Sequence, residues 1–188
     1  MPSDAAERLG RLFNRHARDS FGGTILTFLR FIRLLSLGLW LGAFFFFAAA
    51  IAPLLFSVLP SRAMAGLVVG RALSSLHWLG FGCALVFLLA SVLMALFQGG
   101  ASPFHRRDLL LAAMLAVTLY LQFGYQPKML KLRDSMGVID NIPVNDPRRV
   151  EFNRMHVWSE RMEGTVFILG VALLYLIVRE QQTSPRRY

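Results

Sequence analysis

The chain has 188 residues, 55% of them hydrophobic and only 16% charged, with the apolar residues gathered in long blocks. A soluble domain is nearer a quarter charged, so this balance excludes a disordered or mainly soluble protein. The one cysteine, Cys83, excludes an internal disulfide framework and any multi-cysteine metal site, and the net charge of +9 in so apolar a chain reads as membrane-surface charge rather than nucleic-acid binding.

Residues 1–28 form a basic N-terminal segment. Leu9, Leu12, Phe13 and His16 fall on one side of a helix with arginines elsewhere, which suits an amphipathic helix on an anionic leaflet; a partly ordered tail is the other reading. The first membrane span is Leu34–Phe56, uncharged and carrying four consecutive phenylalanines, Phe44 to Phe47. A bilayer-crossing helix needs roughly 17 to 25 mostly apolar residues, and this block has them. Ala48, Ala49 and Ala50 would suit signal-peptide cleavage, but the preceding basic segment and the apolar block are both too long for a signal.

Pro60-Ser61 starts the next helix. Its Gly66, Gly70 and Ser74 repeat every four residues, as Gly38 and Gly42 do in the first span, so both stripes are expected helix-packing faces. The second span, Ser75–Phe97, is uncharged when His77 is neutral. His105, Arg106 and Arg107 then read as inner-leaflet contact. The third span, Leu109–Tyr125, contains Thr118 and Gln122; Pro127 is expected to kink the helix near its exit and Gly137 to stop it. Asp146-Pro147 is a helix start, a capping acceptor followed by proline at the first position. The fourth apolar core, Gly164–Val178, borrows a turn from its amphipathic flank to give a span of 162–178. No proline interrupts the chain from there to Pro185, so the helix runs to about Glu180, about 50 Å in all.

The expected fold class is therefore an all-α integral membrane protein. It is a four-helix transmembrane bundle over 29–181, with spans at 34–56, 75–97, 109–125 and 162–178. Helices three and four extend outside the bilayer as a helical hairpin tipped by Gly137–Asn145, and a short tail follows at 182–188. Eleven Lys and Arg fall on the side of the termini and nine on the other, and Arg30 and Arg33 abut the first span, so both termini are expected in the cytoplasm of a cell inner membrane.

Ionisable residues at membrane depth are expensive and mark candidate sites. His77 lies seven residues after Gly70 and hence on its small-residue face; His156 and Glu163 are also seven apart, with Ser159 between them, and Tyr125 ends the third span at a comparable depth. In a packed bundle His77, Tyr125, His156, Ser159 and Glu163 are expected to converge on an outward-opening polar pocket. Three readings compete: structural interfacial anchors, a small-molecule, ion or headgroup site of a binding or transport component, and a copper or haem b site using His77 and His156. Phosphate loops, nucleophile elbows and paired zinc motifs are absent, so no enzyme activity and no cofactor are expected. The expected partners are membrane lipids and a second copy or partner membrane protein, with no nucleic acid. An assembly subunit is the alternative function.

Several segments carry a resemblance: FIRLLSLGLWLGAFFFFAAAIAPLLF at Phe31–Phe56, LPSRAMAGLVVGRALSSLHWLGFGCA at Leu59–Ala84, YQPKMLKLRD after the third span and FNRMHVWSERMEG entering the fourth. With these the chain resembles the transmembrane protein 205-like family over about Leu29–Val178. That resemblance implies four helices and an integral membrane location, and no reaction or ligand. A more distant similarity to copper-resistance membrane proteins favours the metal reading slightly, although the chain lacks a rich His/Met array.

Overall fold

The computed structural model describes the backbone of residues 3–98, 106–137 and 139–183, and the side chains of 21–98, 107–137, 139 and 141–180. The proposed amphipathic face of Leu9, Leu12, Phe13 and His16, the inner-leaflet contact of His105 and Arg106, and the tail beyond Thr183 lie outside the described side chains or residues.

Four long rods make up the fold. The first is α1 (Ser3–Phe46), a π-helical turn (Phe47–Ile51) and α2 (Ala52–Val58). The second is the single helix α3 (Arg62–Phe97). The third is α4 (Arg106–Leu119), a second π-helical turn (Tyr120–Tyr125) and α5 (Gln126–Met136), and the fourth is α6 (Pro147–Thr183). Four helices, Phe21–Val58, Arg62–Phe97, Arg107–Met136 and Pro147–Glu180, are long and apolar enough to cross a membrane. All described secondary structure is helical.

Local chemistry explains the boundaries. Ser61 caps α3 by accepting from the Met64 N–H at 3.1 Å, and Asp146 caps α6 by accepting from the Arg148 N–H at 2.8 Å. Gly137 ends α5 with a φ of +66°, a conformation that side chains with a Cβ rarely adopt. Each π turn lies just before a proline, Pro53 or Pro127, at the start of the following helix. Proline has no N–H and its ring crowds the carbonyl four residues back, so the ladder slips to a wider register there. The disturbance expected at Pro127 is thus a π turn upstream of it, and Pro53 produces a second.

The rods pack in a ring. α1 lies most extensively on α3, α4 on α6, and α1 also touches α6. In lipid, apolar surface alone does not drive helices together, so close approach and polar contacts matter most. Close approach occurs at Gly80 and Gly170. A Cβ on Gly80 would stand 2.6 Å from the Trp40 indole, and one on Gly170 would collide with Leu41. At Gly38, Gly42, Gly66 and Gly70, where the stripes predict packing, an added Cβ would meet nothing within 4 Å. A glycine allows close approach only where a neighbour fills the space, and here the bulky Trp40 and Leu41 of α1 decide where that is. Leu37, Phe87, Leu111, Met114 and Leu173 complete the core. Phe44 and Phe45 of the phenylalanine run stack on Phe167, while Phe46 remains exposed.

α5 and the start of α6 form the polar hairpin. Arg133 donates to the Ala63 carbonyl, Arg148 to that of Ser135 at 3.0 Å, and Arg149 to that of Ile142. These bonds tie the hairpin to its own tip and to the start of α3.

Candidate functional site

At the hairpin end of the bundle, α3 presents Gly70, Ser74 and His77 on one stripe. The π turn and α5 present Gln122 and Gln126, four residues apart, and these face α3. Gln126 donates to the Gly70 carbonyl at 2.9 Å and Gln122 to the Ser74 hydroxyl at 2.8 Å. With its amide nitrogen committed to Ser74, Gln122 is left its oxygen to face His77, and Nδ1 of His77 lies 2.8 Å from it. Nδ1 therefore carries a hydrogen and donates, a tautomer assigned by the network. The other ring nitrogen, Nε2, lies 2.6 Å from Oε1 of Glu163 on α6.

The side chains of His77 and Glu163 are only 4% and 9% exposed, so the contact is dry. A separation of 2.6 Å between a nitrogen and a carboxyl oxygen requires a proton between them. The pair is either imidazolium with carboxylate or neutral imidazole with carboxylic acid, two forms that differ only in which atom holds the shared proton. Ser74, Gln122, His77 and Glu163 thus make a continuous polar chain across three rods. Beside it lies an aromatic cluster: Trp78 meets Phe81 and Phe123 edge-on at 5.5 and 6.0 Å. Trp78 and Trp158 are both exposed, and Arg161 sits 5.3 Å over the Trp158 ring. Exposed tryptophans with an arginine are typical of a membrane–water boundary.

Of the five residues expected to converge, His77 and Glu163 do so by direct contact. Tyr125 donates to the Met155 carbonyl at 3.0 Å, joining the third rod to the fourth. Ser159 donates to the His156 carbonyl at 2.8 Å, and the His156 ring pairs with Glu160 at 3.2 Å and lies parallel to Phe152. His156 shares a helical face with Glu163 but stands two turns away, about 10 Å along the axis. It therefore shares no ligand sphere with His77, both of whose ring nitrogens are already engaged. Among the described residues no group of three His, Cys, Asp or Glu could hold a metal ion. The residues present do not fit copper or haem ligation through His77 and His156. Gln122 and Ser74 are not among the site residues that the sequence suggests. Their signals are a glutamine inside an apolar span and a serine one turn before a histidine.

Residues 35–137 match a family model described as a domain of unknown function, DUF4149, over more than half of the chain. The chain belongs to this family. The match contains Ser74, His77 and Gln122 and ends before α6, so Glu163 lies beyond it. No curated protein and no solved structure matches the chain.

Proposed function

We propose that this DUF4149 member is a multi-pass inner-membrane protein that acts as a small binding or transport component, not an enzyme, with the His77–Glu163 proton pair as its working group. One observation carries the reading: two titratable side chains from different helices lie 2.6 Å apart in a dry contact inside a mainly apolar bundle. Such groups are costly at membrane depth and mark ion or substrate paths. A buried pair that holds one proton between two atoms, and must part to release it, is suited to coupling proton movement to a second, bound species. The excess of arginine near the termini supports a cytoplasmic placement of both ends, and the motifs quoted above support the finer affiliation with the transmembrane protein 205-like family. Membrane lipids are the expected surroundings, and nucleic acid is no partner.

The test uses purified full-length protein in vesicles of phosphatidylethanolamine and phosphatidylglycerol that trap a pH-sensitive dye. A valinomycin-imposed potassium potential should drive proton uptake several-fold faster with the wild type than with Glu163→Gln or His77→Gln. Equal rates in the wild type, both variants and empty vesicles would refute the reading.

A second reading, an assembly subunit, has its own support in the unfilled faces of Gly38, Gly42, Gly66 and Gly70. Crosslinking through Gly42→Cys in native membranes should then trap a second helix, and a product that is monomer alone would count against it.

A further inference from the structure

At the opposite end of the bundle the four rods bring together Arg33 of α1, Met94 near the end of α3, Arg107 at the start of α4 and Glu180 near the end of α6. This end is 17 residues from His77 along α3, about 25 Å away. Arg33 is 3% exposed. Its guanidinium lies 4.7 Å over the Phe87 ring and its Nη1 donates to the Met94 sulfur at 3.7 Å, a weak acceptor. Among the described residues Nε and Nη2 have no hydrogen-bond partner, and neither has Nε of Arg107.

Those two Arg33 nitrogens are the informative ones. Nε–H and Nη2–H lie along one edge of a guanidinium and point in parallel, the fork that grips two oxygens of a carboxylate or phosphate. Carboxylates are near but none accepts a hydrogen bond from these nitrogens. Glu180 binds Nη1 of Arg107 at 2.6 Å, and Asp108 lies 4.0 Å from Nε of Arg107. Arg30, Arg107, Asp108 and Glu180 all act electrostatically on Arg33, leaving the group net positive. The start of α4 adds the partial positive charge of a helix N-terminus. Phe87 and Met94 hold the Arg33 head while leaving its fork unused. Both nitrogens are buried, so binding requires the unbranched arginine stem to swing the head toward the bundle end, where Arg107 and Glu180 are partly exposed.

We propose that the Nε/Nη2 edge of Arg33, assisted by Nε of Arg107, is a binding site for a phosphate-centred anion at this end of the bundle. The chemistry fits the phosphodiester of an anionic lipid headgroup and also free phosphate. A lipid would enter from the leaflet beside α1, where Phe28, Phe31 and Leu35 are exposed, and free phosphate from the aqueous end.

Native mass spectrometry of the full chain, released from detergent, measures the affinity for phosphatidylglycerol and, separately, for inorganic phosphate. Retained adducts are expected on the wild type. Arg33→Gln and Arg33→Lys should each weaken them at least tenfold, because lysine keeps the charge but has no parallel pair of donors. Arg107→Gln should weaken them several-fold, and Arg62→Gln, at the other end of α3, should change nothing. Displacement of the lipid by millimolar phosphate would assign the site to the free anion, and lipid adducts that resist phosphate would assign it to the headgroup. If Arg33→Gln misfolds by circular dichroism, Arg33→Lys and Arg107→Gln decide the matter. Wild-type affinity in either of those folded variants, or no adduct with either probe on the wild type, would overturn the proposal.

Discussion

The His77–Glu163 contact makes a quantitative claim that a double-mutant cycle can test. Both side chains are almost fully buried and 2.6 Å apart. Glu163→Leu leaves the imidazole Nε2 facing hydrocarbon, and His77→Leu leaves the carboxyl group and the Gln122 oxygen without their donor. Breaking a buried pair from one side typically costs about 3–5 kcal/mol, because the remaining charge loses its compensation. The double variant His77→Leu/Glu163→Leu removes both charges and fills the space with apolar groups, a replacement that is often close to neutral. Its remaining cost is the orphaned Gln122 oxygen, about 1–3 kcal/mol. The double variant should therefore be at least as stable as either single variant, where additivity would require a loss of roughly 6–10 kcal/mol. Unfolding by rising SDS in mixed micelles, followed by tryptophan fluorescence and circular dichroism, supplies the four stabilities. A double variant whose loss equals the sum of the two single losses would refute a coupled pair.

Other outcomes follow from packing and capping. Gly80→Ala should cost about 1–3 kcal/mol by overpacking, since its Cβ would meet the rigid Trp40 ring, whereas Gly42→Ala should hold or raise stability by up to about 1 kcal/mol because its Cβ meets nothing; thermal melts of the two variants in detergent compare them. Leu173→Ala empties a fully buried position and should cost about 2–5 kcal/mol in the same melts. The Arg148 side chain, and then its N–H, hold the Asp146 carboxyl below the usual carboxylate range. A lowered folded value means that the stabilisation of the α6 start is complete above the unfolded value of about 3.9 and is lost as pH falls through the folded one. Amide exchange at Arg148 and Val150 should accelerate in that acid range in the wild type. Asp146→Asn, which keeps an acceptor without the charge, should remove this dependence.

Much of the architecture is written in short-range signals. The four apolar blocks, the Ser61 and Asp146 caps, the Gly137 stop and the uninterrupted run of α6 each depend on residues within a turn or two of one another. Length, caps and hydropathy therefore define the rods before any packing is known. The site was legible in part. A histidine and a glutamate in apolar helices stand out by their cost, whereas their two neighbours in the network are uncharged and give a weaker signal.

Tertiary structure alone decided which of these polar groups meet. Sharing a helical face is an angular property, so His156 and Glu163 align by spacing while lying two turns apart in depth; contact with His77 requires the right depth as well. The π turn before Pro127 holds Gln122 against α3, and no periodicity reports a register slip. Arg33 reads in sequence as one more basic residue beside a span, and only the approach of α3, α4 and α6 buries its head over Phe87 with two donors unused. Chain-local chemistry determines where helices begin, end and turn greasy, because those choices are made by neighbouring residues. Pairing across the bundle is set by relative rotation and height, quantities that arise only when the rods are packed together.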